Sequence, residues 1–575
     1  MMMIGPSTPI DRRGKGESGF ALITVLLALT ALLALSATAV AYGVGSQTLS
    51  RRDQNWNASL AAAEAGIDDF VFRLNENSNY FLYNSTNQPP DGNKAFVQYV
   101  SVPGGNTTST FRYSTDTSKI AVDGTILMTS TGKVGTTKRT VQATLRRRTF
   151  IDYLYYTDYE TLDPALYTGP LFTGDTTYTP AQATTNCTTY AYATPGRGAG
   201  CTEINFISAD QVNGPLHSND SFLVCSAPHF NGNTSTSWNK ATQPRYRTNS
   251  GCSGNNPVFA NPGDPKYLPT LAMPPSNSSI KAETAAGKGG CLFTGPTSIT
   301  LNSNGTMTTS SPFSKQVNGT CVTNGTGALP TNGVIYVQSV PSASTDPNFT
   351  SGCPYTNPAH PLPALIVTND ANQYACRDGD VFVQGQLKGQ LTIASANNVV
   401  ITGNITYNGG TSGTSLLGLV ANNFVQVRHP LQLVTTTYTP VQSSQPAGCG
   451  SGFDRTDYIT NSSGKYVQRI CSKNLTGAQS SPTINAAILA VNHSFTVPYW
   501  QRGAALGTLN VTGAIAQRFR GPVGTNSSGT VVTGYGKNYV YDQRLKYLSP
   551  PKFLDPVASA WGVAVWREIK VPAGL

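Results

Sequence analysis

The residues of this chain that could do chemistry are few and scattered. Asp378 and Asp380 are two apart. On a strand they would share one face, as acid–base work on a glycosidic bond requires. Read locally, Asp378-Gly379-Asp380 is equally a turn. Asp220 close after His217 is a second candidate pair. The histidines (His217, His229, His360, His429 and His493) show no metal-ligand spacing, and no phosphate loop or serine elbow occurs. The sequence therefore implies neither a metal nor a cofactor. Ten cysteines are present, none before Cys187, and no pair has C-x-x-C spacing. That pattern points to structural disulfides formed in an oxidising compartment, not to zinc or redox work. Taken in order they pair as Cys187–Cys201, Cys225–Cys252, Cys291–Cys321, Cys353–Cys376 and Cys449–Cys471, although spacing alone leaves the connectivity open.

The elements that would carry these residues begin with an N-terminal helix. A short leader holds Arg12, Arg13 and Lys15 and runs into Gly16-Glu17-Ser18-Gly19-Phe20; from Phe20 to Val44 no residue is charged. As a helix that run spans a hydrocarbon core of ~30 Å. Positive charge ahead of it keeps the leader in the cytoplasm and sends the rest out. Ala37-Thr38-Ala39 could be a secretory cleavage site, but the apolar run is longer than the usual ~7–15-residue signal core. A plain, unprocessed anchor is the other alternative. Leu49, Trp56, Leu60, Ala63, Ile67, Phe70, Val71 and Leu74 then recur at helical spacing and predict one apolar face. No proline interrupts Phe20–Leu74, so the spacing predicts one helix ~80 Å long. Small residues, Ala28, Ala31, Ala34, Ala37, Gly43 and Gly45, would let neighbouring helices approach.

On these residues the chain resembles a type IV prepilin. The Gly19–Phe20 junction between basic leader and apolar helix carries the resemblance, and the stretch Trp56-Asn57-Ala58-Ser59-Leu60-Ala61-Ala62-Ala63-Glu64-Ala65-Gly66-Ile67 is similar to the PilX-type minor pilins. The resemblance implies that a prepilin peptidase cuts after Gly19 and methylates Phe20. It also implies that the helix stays in the mature protein and meets other pilin subunits. Major pilins carry a glutamate at the fifth mature position; here that position is Thr24, whose hydroxyl can bond its own backbone. Loss of the glutamate favours a minor subunit. The chain would cross the cytoplasmic membrane once before assembly, with its C-terminal part outside, at the cell surface or on a pilus.

Only 12% of the 575 residues are charged and the formal net charge is +10. Gly, Ser, Thr and Asn with short β-branched runs read as an extracellular, mostly-β protein. Nucleic acid is not an expected partner, because no motif accompanies the basic residues. The expected organisation is a leader at 1–19, the helix at 20–75, a pilin-like antiparallel sheet at 76–149 and a disulfide-containing β domain at 150–575. Short strands are expected at Ala95–Val102, Thr110–Ser114 and Thr125–Ser130, a turn at Thr131–Gly135, and a half-buried strand through Val141, Ala143 and Leu145. In the large domain, apolar-x-Gly-x-apolar elements recur around Gly214, Gly385, Gly403 and Gly513. Asparagines precede strands at Asn219, Asn397, Asn422 and Asn492. Glycine corners and stackable asparagines suit a right-handed parallel β-solenoid, with a β-sandwich as the alternative. The aromatic segment from Gly534 to Pro551 would cap its last coil. The fold class expected is thus α+β. The function expected is a pilin-like surface component acting in assembly, priming or adhesion, with a surface or polysaccharide as a candidate ligand. A membrane-tethered β-helix enzyme acting on polysaccharide is the alternative.

Overall fold

The computed structural model describes residues 18–77, 79–104, 108–120, 125–167, 180–198, 200–315, 317, 321–353, 362, 367–527, 530–546, 548–557 and 561–572. The basic residues of the leader and His360 lie outside them. The chain divides into two compact units: residues 1–146 with 561–575, and residues 147–560.

The first unit is a helix on an antiparallel sheet. Helix α1 (Ser18–Glu76) runs unbroken for 59 residues. Strands β1 (Val100–Ser101), β2 (Ser109–Asp116), β3 (Ile126–Val134) and β4 (Thr137–Arg147) follow in a meander, and the strand Trp561–Ile569 joins at the edge beside β4. Val141, Ala143 and Leu145 of β4 are buried, alternating with more exposed neighbours, and they meet Ile67, Phe70 and Leu74 of α1 in one core with Phe96, Phe111 and Tyr113. Helix and sheet approach to backbone distance. A Cβ on Gly66 would strike Ser130 Oγ and Phe111, and one on Gly132 would strike the backbone of Ser59 and Ala63. The alanine-rich stretch therefore serves this chain's own sheet.

Three local expectations change. The face expected from Leu49 onward is buried only from about Ser59, and Leu49 and Trp56 are 63% and 52% exposed. The sheet stops at the level of Asn55, whose amide nitrogen lies 3.9 Å from a Cβ built on Gly135, so no strand lies under Leu49. Trp56 instead carries the Arg139 guanidinium over its ring at 4.6 Å. The turn lies later than expected, at Gly135-Thr136, because Gly135 takes the left-handed backbone (φ 58°) that Gly132 does not. The segment around Ala95 buries Ala95 and Phe96 but pairs only at Val100–Ser101. The domain expected to run to residue 575 instead gives its last strand to the first unit.

In the second unit parallel pairing dominates. One ladder passes through Cys291–Thr294, Val334–Gln338, Gln390–Ser395, Leu416–Ala421, Thr483–Ala490 and Ala505–Arg520. It then continues, still parallel, through Tyr155–Leu162, Leu216–Ser218, Thr234–Thr236 and Lys266–Tyr267. A second parallel ladder links Thr297–Leu301, Val381–Leu387, Val399–Tyr407, Val425–Val427 and Phe495–Thr496. A third links Ala505–Arg520, Thr530–Tyr541, Gln211–Asn213, His229–Phe230 and Val258–Phe259. Stack order and chain order differ: the run 155–267 lies beyond the end of the run 291–541. Gly534–Tyr541, expected within a terminal cap, belongs instead to the interior strand Thr530–Tyr541 at this seam, because a parallel partner occupies each of its sides.

Long strands change ladder partway along, and glycine marks the change. Ala505–Arg520 pairs with Thr530–Tyr541 up to Gly513 and with Tyr155–Leu162 from Ile515. Gly513 has φ 158°, and a Cβ there would strike the Ala486 carbonyl. Antiparallel excursions interrupt the stack at Thr306–Ser310 with Asn324–Ala328, and at Leu431–Gln442, Arg455–Thr460 and Tyr466–Asn474. Five disulfides join consecutive cysteines, from Cys187–Cys201 to Cys449–Cys471, with sequence separations of 14 to 30 residues.

Candidate functional site

Gly19 and Phe20 lie in the first turn of α1, which begins at Ser18. Thr24 donates its hydroxyl to Ala21 O at 3.0 Å. Thr30, Ser36, Thr38 and Thr48 do the same to Leu27, Leu33, Leu35 and Val44. Every one of these hydroxyls is thus closed onto the helix backbone, the arrangement that lets a polar side chain sit in hydrocarbon without an orphaned donor. The helix is long and apolar enough to cross a membrane, and its apolar part is exposed along its length. Where the sheet begins, polar contacts replace this self-sufficiency. Arg73 pairs with Asp69 at 3.0 Å and with Asp91 at 2.6 Å, and Tyr113 Oη donates to Asp69 at 3.1 Å.

The carboxyl candidates are placed on two different parts of the second unit. Asp380 is fully buried. Its Oδ1 accepts from Asn397 Nδ2 at 2.7 Å and from the Asn398 amide at 3.0 Å, while Oδ2 is enclosed with no hydrogen-bond partner. Burial, reinforced by the nearby charge of Asp378, pushes its carboxyl up to about 7. Asp378 is partly buried, 3.4 Å from the same Asn397 amide nitrogen, and burial raises it too. One asparagine amide therefore bridges the two carboxyls, and it is fixed by Asn423, which donates to Asn397 Oδ1 at 2.7 Å.

His217 and Asp220, in contrast, bond to different groups. His217 is buried with Tyr153 and Tyr156 rings alongside, its Nδ1 2.9 Å from Ser235 Oγ and its Nε2 3.3 Å from Asn219 Oδ1. Burial pushes its imidazole down to about 3, so it is neutral at ordinary pH. Asp220 holds the Arg197 guanidinium and accepts from the amides of Glu160, Ala191 and Ser221. No hydrogen bond among these joins His217 to Asp220. His429 is likewise spent on Pro498 O and Asn474, both at 2.9 Å.

A larger polar cluster escaped the sequence. At the seam between the two runs, Arg520 reaches Glu160 at 3.2 Å and lies over the Phe206 ring at 3.7 Å. Lys537 pairs with Asp210 at 3.2 Å, Gln517 donates to Tyr155 Oη at 2.9 Å, and His493 and Ser494 bond to Asp163 at 3.0 and 3.1 Å. The partners are more than 300 residues apart in sequence, and no local spacing announces them. Among the described residues no group of three His, Cys, Asp or Glu side chains could hold a metal ion.

No protein-family model matches the chain, and no curated protein does. Among solved structures the chain is similar to the competence-associated pilin ComZ from Thermus thermophilus. The identity is 12%, the TM-score is 0.24, and the match covers 90% of this chain and 97% of that one. So loose a superposition carries no argument, and a functional reading has to stand on this chain's own residues.

Proposed function

We propose that the chain is a minor, pilin-like subunit of a type IV pilus or related filament. It sits in the membrane through α1 before assembly and displays its second unit at the cell surface. One observation carries the reading. A single helix continues without a break from an exposed apolar half, where Thr24, Thr30, Ser36 and Thr38 close their hydroxyls on its own backbone, into a half packed on an antiparallel sheet. An ordinary cleaved signal would not need that continuity. In this reading prepilin peptidase cuts after Gly19 and methylates Phe20, and Thr24 stands where the glutamate of major pilins would be. The apolar half of α1 then packs against the helices of other subunits. We read the parallel ladders as the coils of a right-handed β-solenoid in two stacked runs, which projects from the filament to prime assembly or to adhere to a surface or polysaccharide.

The test is mass spectrometry of the mature N-terminus from membrane and sheared-surface fractions of the native host. A peptide beginning at N-methylated Phe20 is expected. An intact leader, or a start near Tyr42, overturns the reading. Replacing Gly19 should abolish both processing and filament incorporation. The Asp378/Asp380 pair, one carboxyl raised to about 7 beside a second, favours a rival: a membrane-tethered enzyme acting on polysaccharide. Polysaccharide cleavage that is lost in Asp378→Asn and Asp380→Asn, with surface display intact, would decide for the rival.

A further inference from the structure

Four cations lie at the end of the first unit that is nearest the apolar run, two on the helix and two on the far face of the sheet. Arg51 and Arg52 are exposed on α1. They precede Asn55 by four and three residues, so they lie one turn below it on the same side of the helix. Asn55 marks the level of the β3–β4 turn, because its amide nitrogen is 3.9 Å from a Cβ built on Gly135. Flanking that turn, Lys133 and Lys138 stand directly opposite each other in the antiparallel register. Both ammonium groups lie over the Tyr99 ring, at 5.4 and 5.8 Å. Arg139, the next cation, is already held by Glu568 at 2.6 Å, whereas no ion pair links Arg51, Arg52 or Lys133 to a carboxylate among the described residues. Asp53 is the acidic neighbour of this group in sequence.

The position of the cluster along α1 decides what anion it meets. Arg51 lies seven residues past Val44, about 10 Å along the helix. The headgroup layer beyond the hydrocarbon is roughly 5–7 Å deep on each side. Arginine and lysine side chains can lean back along their apolar stems to reach it. Seating the apolar run in a bilayer therefore brings the arginines to the headgroups and the lysines to within about one or two screening lengths of them.

We propose that Arg51, Arg52, Lys133 and Lys138 form a basic collar that binds anionic phospholipid headgroups and holds the first unit down on the membrane before assembly. The collar rests on the reading that α1 is seated in the membrane. Leaving the bilayer for a filament would break these contacts, so the collar sets a salt-sensitive barrier to extraction.

The test reconstitutes the full chain in nanodiscs of mixed phosphatidylcholine and phosphatidylglycerol and counts retained lipids by native mass spectrometry. The chain should retain phosphatidylglycerol several-fold above its bulk share, by up to roughly fivefold per cation at low salt. The enrichment should fall to the bulk share in the Arg51→Gln, Arg52→Gln, Lys133→Gln, Lys138→Gln variant. It should persist in the charge-keeping Arg51→Lys, Arg52→Lys, Lys133→Arg, Lys138→Arg variant, which controls for folding. An embedded wild-type chain without enrichment, or full enrichment in the glutamine variant, overturns the collar alone. A chain that resists insertion and is removed by alkaline carbonate defeats the membrane reading first, and the collar with it.

Discussion

Asp380 brings together two opposing demands on one side chain. Its Oδ1 anchors the backbone before Val399, while Oδ2 sits closed off from solvent with no donor. Burial dominates and lifts the carboxyl to about 7. A carboxyl raised in the folded state contributes stability that is full below the unfolded value near 4 and is lost as pH rises through 7. Asp380→Asn should remove that loss, making the second unit more resistant to denaturant at pH 8 by up to about 4 kcal/mol, with little change at pH 4. His217, held neutral down to about 3, acts in the opposite sense, since its contribution is lost as pH falls below about 6.5. Denaturation midpoints of wild type and variant must therefore be compared at each pH. A parallel pair of curves would show that Asp380 is ionised in the fold. The sequence made Asp378 and Asp380 visible as a pair, but not which would be enclosed, because that depends on Asn397 and Asn423 from later bends between strands.

At the scale of elements, glycine does two different jobs. Gly66 and Gly132 let α1 lie on the sheet, and Gly66→Val should destabilise the first unit by roughly 1–3 kcal/mol through overpacking. Amide hydrogen exchange in β2 and β3 is the measurement, and unchanged protection there would contradict the close approach. Gly513, at the change of ladder, combines left-handed φ with contact against Ala486. Gly513→Val should loosen exchange on both sides of the seam, in Thr483–Ala490 and Tyr155–Leu162 alike. The long helix and the half-buried strand through Val141 were legible because each repeats its own period. Where periodicity and burial parted, as at Leu49, the sheet had simply ended. The seam was illegible for another reason: Arg520 with Glu160, and Lys537 with Asp210, join strands from opposite ends of the unit.

At the scale of the molecule, the two runs of the second unit are joined through the segment 268–290, yet two of their ladders pair across the seam. No disulfide crosses between them, since each bond lies within one run. A protease cut within 268–290 should leave a particle that elutes as one species and separates into two bands in denaturing gels without reductant. Separation during native elution would count against the seam.

The second unit leaves the first sheet after β4 and returns to it at Trp561, whose backbone both donates to and accepts from the Asn75 side chain. A pull on the second unit is therefore divided between two covalent lines, and both enter neighbouring strands of the same sheet. A single-linker domain can swivel and passes all tension through one strand. Here two lines share the load, and either can hold the unit if the other is cut. In single-molecule pulling, severing the chain just before Trp561 should leave the unit attached, and the first sheet should yield at a lower force.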